Sequence, residues 1–316
     1  MFTIGPEDTI DRLSWGALVP ALAEMFRAGC EMPLRHHHQV AVPGEPEATM
    51  LLMPAWSPGR YAGVKIANVF PGNAARGRPA VSASYLLMSA RSGEMLAVID
   101  GGELTARRTA GVSALAASFL AREDVHHLLM VGTGRLARNL VPAHAAVRPI
   151  RRVTVWGRDP GKARALAADF AAAGLEAAAS EDLPGAAAAA DIVSCATLAE
   201  APLIEGAWLR PGVHLDLVGG FRPTMREADD EAVRRATVFV DTRAGAAAEA
   251  GDIVVPLANG TLGEGDIAAD LYELCRGQHA GRKDAEEITF FKSVGCALVD
   301  LAAAVLAYER SAPERL

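Results

Sequence analysis

The sequence predicts an α/β protein whose second half is a parallel, doubly wound sheet. Three observations carry that prediction. Over residues 125–250 short apolar runs alternate with Ala-rich helical stretches, a glycine-rich turn follows the first of those runs, and the preceding half reads as hairpins flanked by helices. Between residues 7 and 28, Ile10, Leu13, Leu18, Leu22 and Phe26 recur near helical spacing and Gly29 stops the run, so an opening helix is expected. From residue 39 to 69 the apolar runs are cut by Pro43, Gly44, Pro54, Pro58, Gly59 and Gly63. The next runs, 85–88 and 95–99, flank the turn Arg91-Ser92-Gly93, and strands in hairpins fit both. A helix rich in Ala is expected over 105–120. Beyond it VHHLLMV, RRVTVWG, DIVSCAT, VHLDLVG and TVFVD are the expected strands, with helices from about Arg135 and through Lys162 to Phe170. The Ala-rich stretch 185–190 reads as helix or helix end, since Ala is the best helix former. A last apolar helix is expected over 293–308, with Lys292-Ser293 at its start. Residues 1–118, completed by 289–316, form the expected α+β domain, and 119–288 the doubly wound one.

Composition narrows the class. A chain of 316 residues suits two domains, and 51% hydrophobic residues are ample for a core, which excludes disorder, collagen and a disulfide scaffold. With 31 Lys+Arg against 38 Asp+Glu the net charge is -7, which argues against a protein that coats nucleic acid or an anionic membrane, though not against a local anion pocket. Cys30, Cys195, Cys275 and Cys296 lack Cys-x-x-Cys spacing and fit reduced, buried thiols. The N-terminus carries charge where a signal peptide needs an apolar core, and no run reaches the ~20 apolar residues of a membrane span. A soluble, cytoplasmic protein is expected, with no nucleic-acid or membrane partner.

The first candidate site is the loop after Val131. Gly132-Thr133-Gly134-Arg135-Leu136-Ala137 is a G-x-G-x-x-A turn. Its first Gly permits the tight turn, the second lets backbone approach a pyrophosphate, and the small residue after them allows close helix packing. The helix that follows would offer free N–H groups to the phosphates. Strand, turn, helix and a second strand at 153–156 occur in order, so this half reads as a Rossmann dinucleotide-binding domain. At the end of that second strand an NAD site needs an acid for the ribose 2′-hydroxyl. The sequence instead has Gly157, then Arg158 and, one residue late, Asp159. Arg158 either pairs with a 2′-phosphate, which makes NADPH the expected cofactor and NADH the alternative, or is a solvated loop residue. Asp159 either turns outward or caps the next helix. Thr197, after a strand at the carboxyl edge of the sheet, is a further expected cofactor contact.

Ahead of the loop, Arg35, Lys65 and Arg108 each stand among small or apolar neighbours. Val64 and Ile66 flank Lys65 in a strand pattern and point to the opposite face from it; if they face the core, Lys65 faces a surface or cleft. The order of motifs resembles the ornithine cyclodeaminase/mu-crystallin family over about residues 30–305. These are Pro33-Leu34-Arg35, Val64-Lys65-Ile66, Val69-Phe70-Pro71-Gly72-Asn73, the run 104–110, Gly132-Thr133-Gly134, Val155-Trp156-Gly157-Arg158 and Phe290-Phe291-Lys292-Ser293-Val294-Gly295. The resemblance implies a two-domain, usually dimeric, NAD(P)-dependent enzyme acting on a small amino or imino acid, the first domain both binding substrate and forming the dimer. It assigns the substrate carboxylate to Arg35, Lys65 and Arg108. Thr109, Gly132, Thr133, Gly134, Arg135, Leu136, Arg158, Thr197, Val218, Ser293 and Val294 become the expected cofactor contacts. For Ser293 a plain helix cap is the alternative. Like charge from the arginines should lower the pKa of Lys65, making it, or a bound water, the candidate proton donor.

The segment 217–227 separates members of that family. Cyclodeaminases place an Asp, and four residues later a Lys, where this chain has Phe221 and Met225; a phenyl ring can neither pair with nor deprotonate a side-chain amine. Arg222-Pro223 and Arg226-Glu227 instead resemble the ketimine reductases. The expected reaction is therefore NAD(P)H-dependent reduction of a cyclic imino acid such as Δ1-pyrroline-2-carboxylate, or its six-membered homologue, with Phe221 as an apolar wall. An ornithine cyclodeaminase, an alanine-type dehydrogenase and a non-catalytic NADPH-dependent binder are the alternatives. His36-His37-His38 alternate faces if extended and lack companion ligands, so no metal is expected.

Overall fold

The computed structural model describes residues 1–311. In chain order its elements are β1 (Phe2–Ile4), α1 (Pro6–Arg12), α2 (Trp15–Ala28), β2 (His36–Val40), β3 (Ala48–Ser57), β4 (Tyr61–Val69), β5 (Val81–Ser89), β6 (Met95–Asp100), α3 (Gly101–Leu120), β7 (His127–Val131), α4 (Arg135–Val147), β8 (Arg152–Trp156), α5 (Pro160–Ala172), β9 (Glu176–Ala179), α6 (Leu183–Ala189), β10 (Ile192–Cys195), β11 (His214–Leu217), α7 (Asp230–Arg235), β12 (Thr237–Val240), α8 (Arg243–Glu249), α9 (Gly251–Asn259), β13 (Ile267–Asp270), α10 (Leu271–Cys275), β14 (Thr289–Lys292) and α11 (Ala297–Glu309). The chain divides into two compact units, residues 1–108 with the segment from Cys296 onward, and residues 109–295. The division falls inside α3, between Arg108 and Thr109, whereas the sequence reading put it at 118 and 288; of the expected closing segment, residues 312–316 lie outside the described residues.

The first unit is a six-stranded sheet in the order β1-β6-β5-β4-β3-β2, antiparallel except for the β1–β6 pair. The opening helix is two helices, not one. Ser14 takes the extended N-cap conformation, and its carbonyl accepts from Ala17 and Leu18, so the chain breaks after Leu13. One sheet face is buried through Met53 and Ala55 of β3, Gly63, Lys65 and Ala67 of β4, and Tyr85 and Leu87 of β5, and α11 packs against these strands. On the other face Pro54, Val64, Leu86 and Val98 form a cross-strand row that remains half-buried, as do Leu52, Trp56, Ile66, Met88 and Leu96. The alternation in β4 is thus the reverse of the usual one: the lysine points inward and its apolar neighbours outward. His36, His37 and His38 form the exposed edge strand β2.

The second unit is an eight-stranded, all-parallel sheet in the order β13-β12-β14-β11-β10-β7-β8-β9. From β7 the chain runs outward to β8 and β9, then returns to β10 on the other side. The reversal of direction between β7 and β10 creates the crevice at which doubly wound sheets bind ligands. The α/β reading with a Rossmann domain is borne out. Its central strands β7, β10, β11 and β14 are buried on both faces, while β8, β9 and β13 toward the edges are part-exposed.

One boundary differs. Residues 289–292 form β14, inserted between β11 and β12, so the last helix starts at Ala297 rather than near Ser293. The intervening turn is held by Asp241 at the end of β12. Its Oδ2 accepts from the N–H of Val294 (2.9 Å) and Gly295 (2.7 Å) and from the Ser293 hydroxyl (3.2 Å), and its Oδ1 accepts from the N–H of Thr242 (2.7 Å). Asp241→Ala leaves these buried donors without partners. It should cost roughly 3 kcal/mol of stability, read as a lowered midpoint in urea denaturation; an unchanged midpoint would contradict this account.

Candidate active site

In the first unit β4, α3 and α11 bring three charges together. Lys65 is 3% exposed, and its Nζ lies 2.7 Å from Asp300 Oδ2; the Arg108 Nε donates to Asp300 Oδ1 at 2.8 Å. Adjacent arginines in α3 diverge: Arg107 donates to the Leu13 carbonyl and stacks on Trp15 at 4.2 Å, leaving Arg108 to face Asp300. Arg35, in the loop before β2, is half-buried and near enough to act electrostatically on Lys65. Lys65 and Arg108 share the one carboxylate of Asp300, and the ion pairs fix the side chains in place. Burial, opposed by Asp300 but reinforced by Arg108 and Arg35, brings the Lys65 ammonium down to about 8. Tyr85 stands opposite Lys65 in the β4–β5 register, fully buried, and burial pushes its phenol up, so it stays neutral. The cluster is suited to holding a carboxylate beside a lysine able to give or take a proton near neutral pH.

In the second unit the loop after β7 opens a cleft of about 520 Å³. Gly132 has φ +122°, and a Cβ there would lie 2.6 Å from the Ala196 carbonyl oxygen, so only glycine fits. Gly134 is the N-cap of α4 and makes no side-chain cap, while the space where its Cβ would stand is open. Backbone N–H groups at the start of a 13-residue helix therefore meet a cleft with room for phosphate. Gly132, Thr133, Gly134, Leu136, Arg158, Thr197, Val218 and Phe221 all line it. Arg135 is exposed at the start of α4 and, like Thr109, is not part of this lining. Ser293 and Val294 do not line it either, because both are turned to Asp241.

The cleft also contains residues that the sequence reading did not single out as contacts. Asp159 accepts from the Lys162 N–H at 3.1 Å and so caps α5, one of the two roles expected for it. Lys162 joins Arg158 in the lining. Phe221, expected as an apolar wall of the substrate site, stands on this cleft instead, 47% exposed, with the Arg222 guanidinium 5.7 Å from its ring. The largest omission is Asp300. Its signal was present: it is the one charged residue in the first three turns of an otherwise apolar helix.

The fold and cleft define a dinucleotide-dependent enzyme, and its first unit holds a buried cluster of cations. The chain matches the ornithine cyclodeaminase/mu-crystallin family over residues 7–314 and belongs to it. It is 43% identical to the Δ1-pyrroline-2-carboxylate reductase of Paracoccus denitrificans, over 93% of this chain and 92% of that one. Among solved structures, it is similar to the Δ1-pyrroline-2-carboxylate reductase of Thermococcus litoralis in complex with NADH and L-proline. The TM-score is 0.91 and the identity 32%, with 98% of this chain and 97% of that one covered. An archaeal alanine dehydrogenase dimer with bound NAD has a TM-score of 0.89 and 28% identity over 98% and 96% of the two chains. The resemblance read from the motifs is borne out.

Proposed function

We propose that the chain reduces the C=N bond of a small cyclic imino acid, Δ1-pyrroline-2-carboxylate to L-proline, with its six-membered homologue as a further substrate. Its class is NAD(P)H-dependent oxidoreductase acting on CH–NH bonds. The buried, positively charged cluster of Lys65, Arg108 and Asp300 is the observation that carries the reading. Arg108 and Arg35 bind the ring carboxylate, and Lys65 both anchors it and gives its proton to the ring nitrogen as the C=N bond is reduced. Asp300 neutralises one of the two buried cations and fixes their separation. The dinucleotide, bound on the α4 N-terminus by Gly132, Thr133 and Gly134, supplies the hydride when present.

Phe221 supports an imine without a side-chain amine over ornithine, since nothing at that position can accept the amine's protons. For the cofactor, Arg158 and Lys162 on the cleft, with Asp159 committed to its cap, favour NADPH over NADH. A homodimer fits the half-buried apolar row of Pro54, Val64, Leu86 and Val98, a surface of the kind that marks an interaction site.

Four measurements check this reading. Purified protein should oxidise NADPH, and more slowly NADH, with the cyclic imine, and should release no ammonia from ornithine; the opposite pattern contradicts it. Because Lys65 must be the ammonium for reduction, kcat/KM for the imine should fall above about pH 8. The reverse oxidation of L-proline, which needs the free amine, should rise through the same range. Lys65→Met should lower kcat/KM by about 100-fold or more while NADPH affinity is kept, and an unaltered pH profile in that variant would remove Lys65 from the chemistry. Light scattering should give twice the 33.1 kDa chain mass, and Val64→Asp should reduce it to one chain; a monomeric wild type would refute the dimer.

A further inference from the structure

Two motifs of the second unit have no role in the chemistry above, Arg226-Glu227 and Phe291-Lys292-Ser293, yet they meet beneath the dinucleotide cleft. Glu227, Asp252 at the start of α9 and Lys292 at the end of β14 are each fully buried. Glu227 Oε1 accepts from both the N–H and the hydroxyl of Thr197, at 2.7 and 2.8 Å. Asp252 Oδ1 accepts from the N–H of Glu227 (2.8 Å) and Ala228 (3.1 Å). Lys292 Nζ lies 3.0 Å from Asp252 Oδ2 and donates to the Gly219 carbonyl. Thr197 follows β10, Gly219 follows β11, and both line the cleft. A Cβ on Gly219 would stand 2.2 Å from the Thr197 carbonyl oxygen and 2.4 Å from Glu227 Oε1, so the two loops approach as closely as glycine allows.

We infer that Glu227, held by Asp252 and Lys292, is the positioning residue of the cofactor site: it ties the loop carrying Thr197 to the loop carrying Gly219 and so sets the width of the cleft for a dinucleotide. The network is expensive to bury. Two carboxylates share one ammonium away from water, and Glu227 Oε2 has no hydrogen-bond partner among the described residues. Burial, only partly offset by Lys292 and reinforced by Asp252, pushes the Glu227 carboxyl up to about 7. A core that needed only stability would be served as well by apolar residues at these positions. What the polar groups add is a fixed geometry for two backbone segments that face the ligand.

The inference rests on reading this cleft as the dinucleotide site, and the test separates the two. NADH is titrated into full-length wild type, Glu227→Gln, Glu227→Ala and Gly219→Ala, and KM values are measured for NADH and for the imine. Glu227→Gln retains an oxygen acceptor for Thr197 and should bind NADH within about twofold of wild type. Glu227→Ala removes the acceptor, and Gly219→Ala forces the loops apart with the charges intact. Both should raise the NADH dissociation constant at least about fivefold, with the imine KM changed less than twofold. Should Glu227→Ala not fold, Gly219→Ala against Glu227→Gln makes the same comparison. Unchanged NADH binding in Gly219→Ala or Glu227→Ala, an equal loss in Glu227→Gln, or a parallel rise in both KM values overturns the inference. A wild type that binds neither NADH nor NADPH instead overturns the assignment of the cleft; should it bind NADPH alone, the same comparison is made with NADPH.

Discussion

Two cations are buried against one carboxylate at Asp300, and the arrangement of the first unit follows from that pairing. Burying Lys65 and Arg108 would be prohibitive without a counter-ion, and Asp300 supplies it from α11, the helix that packs on the inner face of the sheet. The same requirement turns β4 over. To place Lys65 inward, the strand must present Val64 and Ile66 outward, which leaves an apolar sheet face only half-covered in the single chain. A charge requirement inside the sheet thus leaves an apolar surface outside it.

The second unit poses a different problem, since a protein of net negative charge can offer an anion little side-chain charge, and what this cleft presents is backbone. The turn through Gly132 and Gly134 exposes N–H groups of α4, and the change of direction between β7 and β10 opens the crevice into which they point. The walls of that crevice are loops, and loops need support. Glu227 with its partners supplies it for the segments after β10 and β11, as Asp241 does, outside the crevice, for the turn before α11. Asp241 accepts from three backbone N–H groups, Glu227 from the N–H and hydroxyl of Thr197, and its partner Asp252 from two more backbone N–H groups, a local way of fixing chain that belongs to no helix or strand ladder.

Much of this could be read from residue order. Apolar runs, Ala-rich helices and the G-x-G-x-x-A turn specify the parallel sheet because each depends on neighbours in sequence. Lys65, Arg108 and the glycine loop were legible for the same reason, as short motifs. Asp300, Asp252 and Lys162 were harder, since their roles come from partners far along the chain or across a loop. The break at Ser14 and the strand at 289–292 escaped notice for a related reason. An apolar helical period runs across the first, and the second adjoins a helix equally rich in apolar residues, so periodicity alone could not mark either boundary. The outward face of β4 was misleading too, because a strand that must point a lysine inward presents its apolar side outward.

The central claim is that a ring carboxylate enters the cluster beside a lysine poised near pH 8, and proton-linked binding tests it most directly. Pyrrole-2-carboxylate, a planar ring acid without a reducible imine, can be titrated calorimetrically near pH 8 in buffers of different ionisation enthalpy. An anion placed against Lys65 raises its pKa, so binding should take up a fraction of a proton approaching about one half, and this uptake should vanish in Lys65→Met. Binding with no proton uptake, or uptake that persists without Lys65, would contradict the account.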